Sequence, residues 1–387
     1  MNFLQRLATG LGVLTLGAFP VIAQTPTGPD LLEQIQDCVR TTGTHAAPPS
    51  LEQLQLVAMQ CTFTTIAIAP DGRIYADVDD RLTALVQTLN LRLPNPPGSG
   101  TARVPLQTLT ESRVFTLPVT VAGTEQAFLL DTGASASILS RPILDRAQRA
   151  GVELSDRLFS YLVVGESCQG LGASLHTLPP LQVGQAQVVD LLGMGFPPRS
   201  MPKQLAGVLG MDFLSRFDLH LDPQALTLEL RSRRPTPARS STTPATFPIP
   251  LQGKMGIMTA QVHLNGQGPF TFALDTGAGW VVISPQLAQS LNLGAKAQAI
   301  EVLGFCGTAP AQWVVLDQVS IQTHTVQNLD TVILTDSRPL ELLGVDGVIG
   351  QNFLNQFRQH WRFGDRTSLG FPATGSLELI PLAENTP

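Results

Sequence analysis

Two copies of one short motif constrain the possible folds of this chain more than any other feature. The first copy is Phe128–Ser135, with the sequence FLLDTGAS, and the second is Phe272–Gly279, with the sequence FALDTGAG. Each copy places one carboxylate, Asp131 or Asp275, between an apolar run and a small, glycine-bearing turn. A single Asp-Thr-Gly carries little meaning, because these residues crowd ordinary turns. A matched pair 144 residues apart, in equivalent settings, predicts a duplicated unit.

Further landmarks recur in the same order in both halves of the chain. The matched segments are Ser137–Ser140 with Val281–Ser284, the glycine-rich segments around Cys168 and Cys306, and Gly207–Leu214 with Gly347–Leu354. This order predicts a tandem repeat of one lobe, with the first lobe over residues 104–230 and the second over residues 251–375. Residues 231–250 between them are rich in Pro, Ser, Thr and Arg, which predicts a flexible linker. Residues 376–387 are predicted to be a C-terminal tail.

Composition favours strands over a helical bundle. The 387 residues include 34 Gly and 30 Pro, and the apolar runs are short and bounded by these residues. Charged residues make up 14% of the chain, and the net charge is −6. No basic run extends beyond Arg231–Arg234, which argues against a nucleic-acid partner.

The first 23 residues have the pattern of an export signal. Asn2–Arg6 carries one positive charge, Leu7–Ile22 is apolar and small, and Ala23 ends a small-residue cleavage site. The alternative is an uncleaved membrane anchor, but the apolar run is short for a stable span and the cleavage site follows at once. Because no later stretch approaches ~20 apolar residues, we expect no stable membrane span after cleavage. These features predict an exported protein, periplasmic or extracellular.

Export makes the four cysteines candidates for disulfides. They are Cys38, Cys61, Cys168 and Cys306, and they allow three pairings. Their spacing matches no zinc pattern, so we expect no metal site. Cys38 and Cys61 each fall near the end of a predicted helix, and a bridge between them would staple a helical hairpin.

Residues 24–93 are predicted to form a separate small α+β unit, followed by a linker over residues 94–103. Its predicted elements are helices at Asp30–Arg40, Leu51–Gln60 and Asp80–Leu91, with a hairpin formed by Thr62–Ala69 and Arg73–Val78. No catalytic grouping occurs in this unit. It is either an accessory domain or a pro-segment that covers a cleft until it is removed.

The paired motifs resemble those of the aspartic protease clan, in which two such aspartates meet across a two-fold axis and share one proton. The resemblance is closer to retroviral-type (retropepsin-like) lobes than to pepsin, because Ala134 and Ala278 follow the two Asp-Thr-Gly triplets and both halves contain a glycine-rich flap candidate. The chain therefore looks like an exported, bacterial form in which two such lobes are fused. This resemblance implies a mostly β, two-lobed fold with pseudo-two-fold symmetry. Since the dyad is internal, we expect a monomer.

The resemblance also implies an activity, that of an aspartic endopeptidase. Asp131 and Asp275 would activate a water molecule that hydrolyses a peptide bond, with a peptide or protein as substrate and no cofactor. The loop residues Thr132, Gly133, Thr276 and Gly277 would support the two carboxylates. Retroviral enzymes have an aspartate that helps to hold the substrate where this chain has Ser135 and Gly279. Ser135 and Gly279 are therefore the candidate substrate-binding residues at these positions, although neither has the carboxylate that retroviral enzymes use.

Three further expectations concern the cleft. Trp280 either lines one substrate pocket or belongs to the core, and Tyr161 is a candidate at the base of one flap. Cys168 and Cys306 occupy equivalent flap positions, so they either pair across the cleft or remain separate thiols. The alternative function is a catalytically silent relative that binds peptides. A structural pair of β-domains with coincidental turns is disfavoured by the repeat.

Overall fold

The computed structural model describes residues 26–42, 51–91, 95–110, 112–150, 157–158, 174–197, 201–232, 248–304 and 307–382. The predicted signal peptide, residues 233–247 of the predicted linker and residues 383–387 lie outside this part of the chain. Within the described ranges, no helix is both long and apolar enough to cross a membrane.

The N-terminal unit is built from three helices around a small core of its own. They are α1 (Gly28–Thr42), α2 (Leu51–Ala67) and α3 (Val78–Thr88). The predicted disulfide between Cys38 and Cys61 is present and joins α1 to α2. The predicted hairpin is wrong, because α2 continues through residues 62–67 and only a single bridge joins Ile68 to Ile74. Burial of Ile66 and Ala67 against the other helices outweighs the strand preference of this Thr- and Ile-rich segment.

The first lobe consists mainly of short strands. Its elements are β1 (Thr101–Pro105), β2 (Gln107–Thr108), β3 (Phe115–Val121), β4 (Thr124–Leu130), β5 (Ile138–Ser140), α4 (Arg141–Arg149), β6 (Arg157–Leu158), β7 (Ser174–Thr177), β8 (Leu181–Val183), β9 (Ala186–Val188), β10 (Leu192–Phe196), β11 (Gly207–Leu209), α5 (Met211–Leu214), β12 (Phe217–Asp222) and β13 (Thr227–Ser232).

The second lobe repeats this plan with longer strands. Its elements are β14 (Ile249–Lys254), β15 (Ile257–Leu264), β16 (Gln267–Leu274), β17 (Val281–Ile283), α6 (Pro285–Ser290), a 3-10 helix (Gly294–Lys296), β18 (Gln298–Gly304), β19 (Gly307–Ile321), β20 (His324–Leu334), α7 (Arg338–Leu343), β21 (Gly347–Ile349), α8 (Gln351–Leu354), β22 (Phe357–Phe363) and β23 (Thr374–Pro381). Ser284 caps α6 as the Ser-Pro sequence predicts, accepting a hydrogen bond from the amide of Leu287 at 3.1 Å.

The two lobes repeat the same strand pairing around each motif. In the first lobe β11 runs parallel to β4 and antiparallel to β5. In the second lobe β21 runs parallel to β16 and antiparallel to β17. The registers are equivalent, since Leu130 lies opposite Leu209 and Leu274 lies opposite Ile349. The mostly β, two-lobed fold predicted from the repeat is therefore confirmed.

A sheet of strands from both lobes joins them. Within the 13-stranded sheet, the run β1-β13-β12-β22-β23-β14 takes three strands from each lobe, and we call these six the interlobe strands. The junction is the antiparallel pair β12–β22, where His220 lies opposite His360. One hydrophobic core cluster continues from the first lobe into the second. The lobes are thus held at a fixed relative position by backbone hydrogen bonds and by a shared core.

Two predicted boundaries fall inside ordered structure. The predicted linker 94–103 overlaps β1, and Ser99 exchanges backbone hydrogen bonds of 3.0 and 2.9 Å with Gln187. The predicted tail from residue 376 begins within β23, which pairs with both β14 and β22. Composition identifies Pro- and Gly-rich segments, but it does not show when such a segment lies against a sheet edge.

Candidate active site

The two motif aspartates lie at equivalent positions, each directly after a buried strand. The amide of Asp131 donates to the carbonyl oxygen of Leu209 at 3.2 Å, and the amide of Asp275 donates to that of Ile349 at 3.0 Å. These bonds extend the parallel β4–β11 and β16–β21 pairs by one residue. The strand pairing therefore brings both carboxylates to the boundary between the lobes.

Each carboxylate rests against the glycine of the opposite motif. A Cβ built on Gly133 would lie 2.3 Å from Cγ of Asp275, and one built on Gly277 would lie 2.5 Å from Cγ of Asp131. Any larger residue would separate the two loops. The absence of a side chain at these two positions is what allows the carboxylates to meet.

Burial raises the pKa of both carboxylates. Burial, the charge of Asp275 and a hydrogen bond with Asp275 raise the pKa of Asp131 well above its usual value. Burial also raises the pKa of Asp275, while hydrogen bonds from Asp131 and from the amide of Gly277, at 2.7 Å, oppose this rise. The pair therefore titrates as a unit that holds one shared proton.

Thr132 and Thr276 link the two loops reciprocally. The amide of each threonine donates to Oγ1 of the other at 3.0 Å. Each Oγ1 in turn donates across the boundary, from Thr132 to the carbonyl of Leu274 at 2.8 Å and from Thr276 to that of Leu130 at 2.9 Å. Both side chains are buried. This network fixes the position of one aspartate loop relative to the other, as the resemblance implies.

The loops are also held from behind by α5 and α8. The amide of Met211 donates to the carbonyl of Ala134, and that of Gln351 donates to the carbonyl of Ala278, both at 2.8 Å. Val208, Leu209 and Ile349 are fully buried beneath the loops, and Val348 is partly buried. The apolar pairs Val208-Leu209 and Val348-Ile349 thus form an apolar layer under the two dyad loops.

The side-chain hydrogen bonds behind the dyad loops differ between the two lobes. In the first lobe Oγ of Ser137 donates to Asp212 at 2.6 Å, and in the second lobe Oδ1 of Asn352 accepts from the amide of Val281 at 2.8 Å. Burial raises the pKa of Asp212. Sequence analysis did not single out Asp212 or Asn352. Their equivalent positions after Gly210 and Gly350 are the feature that could have identified them.

The remaining predicted cleft residues have different outcomes. Ser135 and Gly279 lie in equivalent, half-exposed positions beside the dyad loops. Trp280 is 37% exposed and therefore is not a core residue. Tyr161, Cys168 and Cys306 lie outside the described residues. Among the described residues, no group of three or more His, Cys, Asp or Glu could hold a metal ion.

Two neighbours of the dyad loops were not predicted from sequence. Arg113, from the loop between β2 and β3, places its guanidinium over the Trp280 ring, 4.7 Å from the ring centroid. Gly256, from the turn between β14 and β15, lies beside Ser135, since a Cβ there would come within 2.6 Å of the Ser135 Cβ. Arg113 precedes Asp131 by 18 residues and Gly256 precedes Asp275 by 19, so the repeat places both at nearly the same offset.

The comparisons with known proteins agree with this geometry. The profile of the gag-polyprotein putative aspartyl protease family matches residues 117–216 and residues 260–356, just over half of the 387 residues. Each match contains one motif aspartate and the buried strand that supports it. A comparison with curated proteins found no match. The chain therefore belongs to the gag-polyprotein putative aspartyl protease family and carries the lobe of that family twice.

Proposed function

We propose that this protein is an aspartic endopeptidase that hydrolyses peptide bonds at the Asp131/Asp275 dyad. The observation that carries the proposal is the mutual approach of the two buried carboxylates, each against the glycine of the opposite motif. One ionised and one protonated carboxyl group provide a general base and a general acid at one site. The pseudo-two-fold arrangement therefore supplies both functions without a second set of residues.

For the first step we propose that Asp131 carries the shared proton and that Asp275 is ionised. Asp275, ionised, takes a proton from a water molecule as the water oxygen attacks the carbonyl carbon of the substrate. Asp131 donates its proton to the carbonyl oxygen, and the product is a neutral tetrahedral diol. The reciprocal threonine network limits reorientation of the two carboxyl groups during this transfer.

The second step returns the protons. Asp275 delivers its proton to the amide nitrogen, the C–N bond breaks, and one hydroxyl of the diol returns its proton to Asp131. The products are a carboxylic acid and an amine, and the dyad regains its starting protonation state. The cycle therefore needs no covalent intermediate.

Cleavage of a peptide library between about pH 3 and 7 tests the proposal. Wild type and Asp275→Asn are compared, with Asp317→Asn as a matched control that neutralises an exposed carboxylate on β19. We expect wild type and the control to produce the same fragments and Asp275→Asn to produce none. Cleavage that persists in Asp275→Asn would contradict the proposal. Binding of peptides without cleavage at any pH would identify a catalytically silent relative.

We also propose that the protein is exported. The disulfide between Cys38 and Cys61 supports this location, because such bonds persist in oxidising compartments. Cell fractionation tests it, with an N-terminal sequence determined on the mature protein. We expect the protein outside the cytoplasm, beginning near Gln24. Recovery in the cytoplasm with both cysteines reduced would contradict export.

A further inference from the structure

The two ends of the dyad site differ in the side chains they offer. Beside Ser135 the neighbouring loop contributes Gly256, which has no side chain and a positive φ of 85°. Beside Gly279 the neighbouring loop contributes Arg113, since a Cβ on Gly279 would lie 4.0 Å from the Arg113 amide nitrogen. The loop beside Ser135 therefore adds no side chain, whereas the loop beside Gly279 adds the guanidinium of Arg113.

The loop that carries Arg113 is held in place from both lobes. Within the loop, the amide of Leu109 donates to the carbonyl of Val114 at 3.0 Å, and Oγ of Ser112 donates to the carbonyl of Leu109 at 2.8 Å. From the second lobe, Nδ2 of Asn355 donates to the carbonyl of Arg113 at 3.0 Å. The Arg113 backbone is thus positioned by contacts that do not involve its side chain.

The side chains of Arg113 and Trp280 remain available to a ligand. Both are exposed, and the guanidinium lies over the indole ring, an arrangement that orients the cation without neutralising its charge. Within the described part of the chain, no carboxylate pairs with this guanidinium. The amide of Asn352 on α8 donates to the carbonyl of Gly279 at 3.2 Å. Gly279 ends the Asp275 motif and Trp280 directly follows it, so the Arg113–Trp280 pair lies next to this dyad loop. An exposed guanidinium is suited to bind a carboxylate.

We propose that Arg113, supported by Trp280, is a specificity determinant that selects substrates with an acidic side chain on one side of the scissile bond. The proposal rests on the proposed peptidase function and names the substrate class of that same site. The effect is confined to one side, because Gly256 offers no equivalent group beside Ser135. Arg113 is a binding residue and takes no part in proton transfer.

Peptides with both termini blocked test this proposal. Each carries Glu or Gln at one position at a time, on either side of a cleaved bond, and kcat/KM is measured at pH 6 and pH 3. For wild type at pH 6 we expect Glu to be favoured about fivefold over Gln on one side only. The preference should disappear at pH 3, because the substrate carboxylate is then protonated while arginine remains charged.

Charge variants assign the preference to Arg113. Arg113→Ala should bring the Glu/Gln ratio close to one, and Arg113→Glu should reverse it. Lys296→Glu, the same change of charge on the 3-10 helix, should retain the wild-type ratio. Cleavage with an acidic preference that survives in Arg113→Glu, or that appears equally on both sides, would overturn the proposal.

A binding measurement separates this proposal from the proposed function. The same Glu and Gln peptides are titrated against Asp275→Asn and against the double variant Asp275→Asn/Arg113→Glu, with titration calorimetry as the readout. Tighter binding of the Glu peptide that depends on Arg113 supports the proposal even if wild type cleaves nothing. Cleavage by wild type with no difference between the two peptides would overturn the specificity proposal and leave the peptidase function intact.

Discussion

The amide of Thr132 donates to Oγ1 of Thr276, and the amide of Thr276 donates to Oγ1 of Thr132, each at 3.0 Å. These two residues are 144 positions apart in the sequence and come from different lobes. Because each hydroxyl also donates to the opposite strand end, one side chain takes part in two hydrogen bonds across the boundary. The geometry of the dyad therefore depends on two threonine hydroxyls that are buried between the lobes.

Removal of either hydroxyl should weaken both the fold and the activity. We expect Thr276→Ala to lower the free energy of unfolding by about 1–3 kcal/mol, because it leaves the buried amide of Thr132 without its acceptor. We expect kcat/KM to fall by about 10-fold or more as the carboxyl groups lose their alignment. Thermal unfolding and peptide cleavage measure the two effects.

Thr276→Ser is the matched control, since it keeps the hydroxyl and removes one methyl group. It should retain most of the activity that Thr276→Ala loses. Equal activity in the Ala and Ser variants would show that the hydroxyl does not position the dyad.

The histidine pair at the lobe junction should make the protein sensitive to acid. His220 and His360 lie opposite each other on β12 and β22, with ring centroids 4.1 Å apart. The charged groups around them are Glu229 and Arg231 on β13, Arg358 and Arg362 on β22, and Glu378 on β23. Burial and the neighbouring His360 lower the pKa of His220 from 6.5 to about 4. The pKa of His360 is also lowered, mainly by burial.

The direction in which pH changes the folding stability depends on whether the folded or the unfolded protein binds a proton more tightly at His220. Above pH 6.5, His220 is neutral in both the folded and the unfolded protein, so acid costs no stability at this residue. As the pH falls from 6.5 towards 4, the unfolded chain binds a proton that the folded protein resists, so stability is lost. The unfolding midpoint should drop over this window in wild type and drop less in His220→Gln. His263→Gln, on β15 outside the interlobe strands, should behave as wild type, and an unchanged pH profile in His220→Gln would refute this account.

Asp79 should hold the N-terminal unit on the second lobe. Its carboxylate accepts a hydrogen bond from the amide of Met255 at 2.9 Å, and Met255 precedes Gly256, which lies beside Ser135. Burial raises the pKa of Asp79, although the Met255 amide and the charge of Lys254 oppose this. The Asp79 carboxyl group therefore binds its proton more tightly when the N-terminal unit is docked on the second lobe than when it is undocked. The contact weakens as the pH rises through the pKa of Asp79.

Hydrogen exchange at the Met255 amide measures this contact. We expect Asp79→Ala to speed exchange about tenfold or more, since the amide loses its acceptor. Asp79→Asn should keep the amide protected and remove the pH dependence. Glu33→Gln, which neutralises an exposed carboxylate on α1 of the same unit, is the control and should resemble wild type. Unchanged exchange in Asp79→Ala would mean that other contacts alone hold the unit.

The repeat was sufficient to predict two equivalent lobes, and the resemblance of the paired motifs to the aspartic protease clan implied that Asp131 meets Asp275. An Asp-Thr-Gly after an apolar strand fixes local geometry, and duplication supplies the second half of the site. The segment Thr62–Ala67 was misassigned as a strand, because its helical state depends on packing against α1 and α3 rather than on its own pattern. Local pattern is therefore informative for the repeated lobes and weaker for the N-terminal unit.

The contacts between distant segments could not be predicted in the same way. Arg113 meets Trp280 because a loop of the first lobe crosses to the second, and no periodicity encodes that approach. Likewise, Asp79 reaches Met255 across 176 positions of sequence. These contacts distinguish the two ends of the site, whereas the repeat by itself predicts two equal halves.

The measurement that tests the central claim most directly is a double-mutant cycle at the dyad. The claim is that Asp131 and Asp275 act as one unit built from two lobes. The kcat/KM for one cleaved peptide is compared in wild type, Asp131→Asn, Asp275→Asn and the double variant. We predict that each single variant loses about 10³-fold or more and that the double variant is no worse. Additive losses, or substantial activity in either single variant, would contradict a shared dyad.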